Sequence, residues 1–568
     1  MTTTPAFPRP WVAHYPPGIV WDTPLDLTPV HTQVLAACTE HADRAALDFM
    51  GKITRYRELG DAITRFSGAL QKLHGVKKGT RVALLMPNTP FFVIAYYAVL
   101  RAGGVAVNCN PLYTLAELEH VVGGAGAEIL ITLDLKVTFD KAEALVRGGH
   151  VRDLIVAPFL KALPPVKAVL FRAAKSRDLA RPDNSPVRER ITLYETLLAK
   201  GLSPEPVEIS ADDIAVQQNT GGTTGVPKGA MLSHANVAAN MSQIDAWADG
   251  RFYPPHARIL AVLPFFHIFA MTVCMNVPLC NGALVIMLPR YEQKMFLAAV
   301  RRTQPTILPA VPTLIHALSR LGEAIKPALA SISLVISGGA ALPLEVRAAW
   351  ARVSGALLAE GYGLTEASPV VCCAALKVPG KPLSVGQPLP HTDIRFVDVE
   401  TGKVVGIGQR GEVQVKGPQV MAGYFRNDDA TAETFDHGWL RTGDVGFMDE
   451  DGYVFLVDRL KDIIICSGFN VYPRVIEEAL LSHPGVAEVN VIGVPDSYRG
   501  EAPVAYVKPR AGNSATESEM RAFLADKLNK LEQPREVIFR ADLPKTLVGK
   551  HDKKELRRDY ESRTATSA

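Results

Sequence analysis

The seven cysteines of this chain are scattered, with Cys372 and Cys373 the only adjacent pair and none in C-x-x-C spacing. That distribution signals neither a structural zinc site nor a disulfide framework, and it fits a reducing cytoplasm. Blocks of like charge are also missing. The 61 Lys and Arg stand against 58 Asp and Glu, a net charge of +3 over 568 residues, which argues against a dedicated nucleic-acid binder. The first eleven residues hold three threonines and three prolines but no apolar h-region, so they do not read as a secretory signal. One run, 259–288, lacks Asp, Glu, Lys and Arg over a length that would cross a bilayer. Pro264, Pro278 and Gly282 divide it and His267 sits inside, so strand, turn, helix and strand are expected there instead. No amphipathic anchor is evident in the spacing.

What is present is the texture of a large α/β protein. Apolar residues make up 48% and charged residues 21%, enough for more than one sizeable core. Short β-branched runs at 81–86, 128–132, 154–157, 258–263, 284–288, 307–309 and 334–337 alternate with helix-patterned stretches such as 59–73, 90–102 and 291–303. Continuous apolar strands between helices indicate parallel sheets covered on both faces, and the length of the pattern implies two of them. After about residue 384, alternating strands at 393–397, 411–415 and 453–457, separated by turn residues, predict a small antiparallel, barrel-like unit. Helices near 475–482 and 517–531 belong to a further α+β segment. The expected organisation is a large domain over 1–458 with its β-rich part at 385–458, a hinge at 459–462, and a small mobile domain over 463–568.

The strongest local signal is Thr220-Gly221-Gly222-Thr223-Thr224-Gly225-Val226-Pro227-Lys228-Gly229. Four glycines, three threonines and a lysine make a loop rich in free N–H groups and hydroxyls, suited to wrapping phosphate oxygens with Lys228 supplying charge. It is not a Walker A loop, since Lys228 is followed by glycine. Further along come Pro264-Phe265-Phe266-His267, Ser337-Gly338-Gly339-Ala340, Gly361-Tyr362-Gly363-Leu364-Thr365-Glu366 and Arg441-Thr442-Gly443-Asp444. Asp458-Arg459-Leu460-Lys461-Asp462 and Pro544-Lys545-Thr546-Leu547-Val548-Gly549-Lys550 complete the series. Taken singly, Tyr362 is as readily a core aromatic, Asp444 a turn residue and Glu366 a helix-start charge.

In this order the motifs resemble those of the adenylate-forming superfamily of acyl-CoA synthetases, peptide-synthetase adenylation domains and luciferases, over roughly residues 30 to 560. The resemblance implies activation of a carboxylic acid by ATP to an acyl-adenylate and transfer to coenzyme A. It implies that Glu366, with Thr223, holds Mg²⁺ and that Thr365 bonds the α-phosphate. Tyr362 and Gly363 would face adenine, Asp444 the ribose hydroxyls, Arg459 the same sugar or the phosphate, and Gly339 and Ala340 the same nucleotide and acyl site. Lys550 would bridge the substrate carboxylate and α-phosphate, Lys461 would be the hinge, and His267 an aromatic gate acting by shape. The segment around Gly468 would lie along coenzyme A. The combination most resembles bacterial medium- and long-chain fatty-acid–CoA ligases, with Phe265, Phe269, Met271 and Ala340 as expected tunnel residues. A carrier-protein acceptor, an aryl or dicarboxylic substrate, and a binding-only paralogue are the alternatives. The expected partners are fatty acid, ATP and coenzyme A, with weak peripheral contact at the inner face of the membrane; none of these patterns speaks to oligomeric state.

Overall fold

The computed structural model describes residues 8–220, 227–252, 257–467, 469–496, 498–510, 512, 516–545 and 552–567. Two parallel sheets dominate the first four hundred residues. In one, Ile214–Thr220, Val105–Cys109, Arg81–Leu85, Ile129–Leu133, Asp153–Ala157 and Ile191–Leu193 lie side by side and parallel. Lys228–Ser233 runs antiparallel to Ile214–Thr220, and Gly423–Tyr424 closes that edge. In the other, the parallel order is Ala45–Phe49, Leu284–Met287, Arg258–Ala261, Ile307–Ala310, Leu334–Ser337 and Leu357–Gly363. The inner strands read as unbroken apolar runs because helices cover both faces of each sheet.

The helix Pro90–Arg101 shows how the two sheets are joined. Its sequence, PFFVIAYYAVLR, is apolar all round, and all but its last residue are buried, which is the signature of a helix enclosed by core. Thr89 starts it by accepting the Phe92 N–H on its side chain, and Pro90 takes the first helical position, where a missing N–H costs nothing. Its Tyr97 hydroxyl donates to Asn276 Oδ1 at 2.8 Å. Asn276 ends a π-helix, Ala270–Asn276, all seven residues of which are buried. The charge-free run 259–288 therefore folds as strand, turn, helix and strand, as its breakers predict. No helix among the described residues is long and apolar enough to cross a membrane.

The chain then builds a five-stranded, mainly antiparallel sheet from Asp393–Val397, Gly411–Lys416, Phe435–Asp436, Trp439–Met448 and Val454–Arg459. A separate apolar cluster, with Ile464, Ile476, Val491, Val507 and Leu524 among its members, organises the C-terminal part. The helix expected over 517–531 is shorter, Glu517–Ala525. Asn529 Oδ1 takes the N–H groups of Leu531 and Glu532, and the Gln533 amide caps the Leu524 and Leu528 carbonyls, so local side-chain bonds end the helix early.

Candidate active site

The carboxyl ends of both parallel sheets converge on one cleft of about 2270 Å³. This is the edge of an open α/β sheet where loops leave the strands and ligands can be held. Strand Leu334–Ser337 delivers Gly339 and Ala340 to it, Leu357–Gly363 delivers Tyr362 and Gly363, and Ile214–Thr220 delivers Thr220. Lys228, His267, Thr365, Glu366, Asp444, Arg459 and Lys461 line the same cavity. Gly221, Gly222, Thr223, Thr224, Gly225, Gly468 and Lys550 lie outside the described residues. Gly363 is required by close approach: a Cβ there would stand 2.0 Å from the Pro369 carbonyl oxygen.

At one end of the cleft, Asp444 is the centre of a small network. Antiparallel pairing of Trp439–Met448 with Val454–Arg459 sets Asp444 directly opposite Arg459. Asp444 is buried, and its Oδ1 pairs with Arg459 Nε at 3.0 Å while its Oδ2 accepts the Tyr362 hydroxyl at 2.7 Å. Burial, and then the neighbouring Asp444 charge, hold the Tyr362 phenol well above its ordinary pKa, so it stays a donor. A carboxylate offers about four acceptor positions, and two are taken, which leaves two for a further pair of hydroxyls.

Glu366 sits in the short 3-10 turn Thr365–Ala367, and Tyr424 Oη donates to its Oε1 at 2.8 Å. Lys228 Nζ lies 5.2 Å from the centroid of the same Tyr424 ring. Tyr424 thus ties the Glu366 carboxylate to Lys228. No motif marks it; only the pairing of Gly423–Tyr424 with the strand Lys228–Ser233 brings it here. Among the described residues no group of three or more His, Cys, Asp or Glu could cage a metal. A lone Glu366 carboxylate suits Mg²⁺, which keeps most of its shell for water and phosphate oxygens.

Residues 458–462 carry a second network that the motifs do not disclose. Asp458 accepts the backbone N–H groups of Arg459 and of Arg474, each at 2.8 Å. Arg474 stands in the first turn of helix Pro473–Leu481, so the carboxylate at the end of strand Val454–Arg459 caps that helix. Burial pushes the Asp458 carboxyl up to about 6, against the partial opposition of Lys553 and the two N–H groups. Lys553 pairs with Glu477 and Arg557 with Asp462, so helix Lys553–Ser567 is tied both to helix Pro473–Leu481 and to the 3-10 turn Leu460–Asp462. Lys545 and Asp552, the described residues flanking Lys550's segment, both line the cleft, and the Asp552 N–H donates to the Pro544 carbonyl at 2.9 Å.

The lining of the same cleft also has an apolar portion, with Ile244, Trp247, Val273, Leu376, Val385 and Leu389. Of the expected tunnel residues, Phe269 and Ala340 line it, and Phe265 and Met271 do not. Both are fully buried behind it: Phe265 packs on Phe92, and the Met271 sulfur accepts from Asn108. Phe266, His267, Ile268 and Phe269 between them do line the cleft, while Phe265, in the turn before the π-helix, and Met271 inside that helix face the core, which linear spacing does not reveal. At His267 the ring Nδ1 accepts the Phe269 N–H at 3.4 Å, holding the imidazole against its own turn.

The chain matches the family model for AMP-binding enzymes over residues 34–425 and that for the AMP-binding enzyme C-terminal domain over residues 475–550. It is 38% identical over 555 residues to a long-chain-fatty-acid–CoA ligase of Bacillus subtilis (strain 168), covering 95% of this chain and 96% of that one. It is 36% identical over 559 residues to the corresponding ligase of Escherichia coli O157:H7, covering 96% and 97%. Among solved structures it resembles ATP-bound MatB from Rhodopseudomonas palustris, with a TM-score of 0.80 and 30% identity over 94% of this chain and 99% of that one. The TM-score to the apo form of the same protein is 0.73.

Proposed function

Because this chain belongs to the AMP-binding enzyme family, we propose that it is an AMP-forming fatty-acid–CoA ligase, taking fatty acid, ATP and coenzyme A to acyl-CoA, AMP and pyrophosphate. The observation that carries this reading is the continuity of the cleft, which joins the Tyr362–Asp444–Arg459 network and Glu366 to a recess walled by aliphatic and aromatic side chains. Polar groups that can hold a nucleotide and apolar side chains that can hold an acyl chain, in one cavity, are what joining a fatty acid to AMP needs.

In the first step a carboxylate oxygen forms a bond to the α-phosphorus and pyrophosphate leaves with the electrons of the broken P–O bond. Two anions must approach, so cations and N–H donors around the α-phosphate do most of the catalytic work. Lys228 supplies charge at the phosphates, Thr365 donates to the α-phosphate, and Asp444 holds the ribose hydroxyls with the acceptor positions left by Tyr362 and Arg459. Glu366, with Thr223, would hold Mg²⁺, which would supply positive charge to the phosphate oxygens. In the second step the thiol sulfur, having lost its proton, attacks the acyl carbon, and AMP departs with its mixed-anhydride oxygen. Residues 459–462 serve as the hinge between the large domain, 1–458, and the small one, 463–568, with Lys461 at the pivot. Turning there withdraws Lys550 and brings the Gly468 segment to coenzyme A. His267, flattened against its turn, gates the way from the acyl pocket to the thiol by shape.

Pyrophosphate release with MgATP, measured on acetate, octanoate, palmitate, benzoate and pimelate with and without coenzyme A, tests the assignment. Sustained, coenzyme-A-dependent turnover is expected to favour octanoate and palmitate, with kcat/KM rising up to about fourfold per methylene buried in the recess. A preference for benzoate or pimelate would replace the fatty acid with another class. A burst that coenzyme A cannot convert into turnover would point to a carrier-protein acceptor.

A further inference from the structure

Helix Pro165–Lys175 has no buried residue, yet it carries Val166, Val169 and Leu170 at 72%, 69% and 62% exposure. Their i, i+3, i+4 spacing sets all three on one face. The opposite side anchors the helix. Ala168 and Phe171 pack against the core, Phe171 lies edge-on to Phe159 at 5.2 Å between centroids, and Lys167 Nζ donates to the Met50 carbonyl at 2.7 Å. The aliphatic face is therefore held outward by a fixed helix. An apolar groove of about 480 Å³, with Ile53, Leu163 and Pro165 among its walls, adjoins it.

The chain segment that carries this face has charge of one sign, with Lys161 alone paired to an acid from outside it, Glu195 at 2.7 Å. Residues 154–177 contain Lys161, Lys167, Arg172, Lys175 and Arg177 and no Asp or Glu, in a chain whose overall charge is nearly balanced. Arg172, Lys175 and Arg177 are exposed. Cations beside outward aliphatics on one helix match a surface that is anionic at the headgroups and apolar just beneath. A soluble acidic protein would match the charge, but it would leave three aliphatic side chains without a comparable phase to enter. The place of the helix suits this occupant. Asp153–Ala157, which leads into it, runs parallel to Ile214–Thr220 four positions along the sheet, so the segment leaves the same carboxyl edge as the cleft, roughly 19 Å away at ordinary strand spacing.

We propose that helix Pro165–Lys175 is a peripheral docking surface for an anionic lipid bilayer, with Val166, Val169 and Leu170 entering the headgroup boundary and the neighbouring cations on lipid phosphates. Its use, collecting a substrate that partitions into the bilayer, rests on the fatty-acid reading; the docking does not, and is measured without ATP, coenzyme A or fatty acid.

The test sediments the full-length protein with vesicles of equal parts phosphatidylglycerol and phosphatidylcholine, and with phosphatidylcholine alone. The protein is expected to bind the mixed vesicles, to bind the neutral ones less, and to be released by salt. The double variant Val169→Asp, Leu170→Asp should lose about tenfold or more in partitioning, and Arg172→Glu with Lys175→Glu about fivefold or more per residue. Both variants should keep the wild-type melting temperature and the coenzyme-A-dependent turnover of octanoate in vesicle-free buffer, while turnover of palmitate held in the vesicles falls. Failure of the wild type to bind, or equal binding by the variants, overturns the proposal. So does a wild-type dimer that Leu170→Asp dissolves in the absence of vesicle binding, which would assign the face to a second copy. Vesicle binding that survives alongside absent octanoate turnover would remove the fatty-acid reading and leave the docking in place.

Discussion

Lys550→Ala is expected to lower acyl-adenylate formation from acid and MgATP by about 10²–10³-fold, the cost of removing one preorganised charge from the developing transition state. Thioester formation from preformed acyl-adenylate and coenzyme A should stay close to the wild-type rate. The split follows from where charge develops. In the first step carboxylate and phosphate are pressed together, and an ammonium on a long stem between them neutralises both. In the second step the phosphate is already esterified, the thiol attacks carbon, and that ammonium has no comparable task. The neighbours of Lys550 suit this role: Lys545 and Asp552, on either side of its segment, both line the cleft, and the Asp552 N–H closes onto the Pro544 carbonyl. Equal loss in both half-reactions would make Lys550 a general structural or binding residue. Burst measurements of pyrophosphate, beside a separate thioester assay fed with synthetic adenylate, distinguish the two.

Asp444→Ala should raise the KM for ATP by about a hundredfold, since two charge-assisted hydrogen bonds to the ribose contribute about 1.5–3 kcal/mol each and some affinity survives in the phosphates. The substitution also strands the Tyr362 hydroxyl and the Arg459 guanidinium, which now share its two oxygens. A merely structural role would therefore also reduce activity. Sugar discrimination separates the cases. Wild-type enzyme should prefer ATP over 2′-deoxy-ATP by about tenfold, the worth of one such bond, and Asp444→Ala should lose that preference. If the variant still discriminates between the two nucleotides, Asp444 does not hold the ribose.

How far these features were legible in the sequence depends on how local their causes are. The runs at 334–337 and 393–397 coincide with strands because a buried or half-buried strand writes its environment into consecutive side chains. Tyr362, Glu366, Asp444 and Arg459 were legible through their motifs, and they do line one cleft. Tyr424 was not, because its link to Glu366 depends on a two-residue strand pairing with a distant one. Asp458 reads as a motif residue but acts as a cap on helix Pro473–Leu481, a relation made only in three dimensions. Phe265 and Met271 share the aromatic and aliphatic character of tunnel residues, yet the first, in the turn before the π-helix, and the second, within that helix, both face the core. The outward face of Pro165–Lys175 was hidden for the opposite reason: its apolar spacing is that of an ordinary core helix, and only the packing of Phe171 shows which side is turned in.

The central claim is that one cleft makes an acyl-adenylate and then a thioester. Its most direct test mixes enzyme in molar excess with MgATP and labelled palmitate in the absence of coenzyme A, quenches, and then chases a parallel sample with coenzyme A. Palmitoyl-adenylate should accumulate with an equal amount of pyrophosphate, and the chase should convert it to palmitoyl-CoA with release of AMP. Formation of ADP and phosphate, or of thioester with no adenylate preceding it, would contradict the two-step ligase.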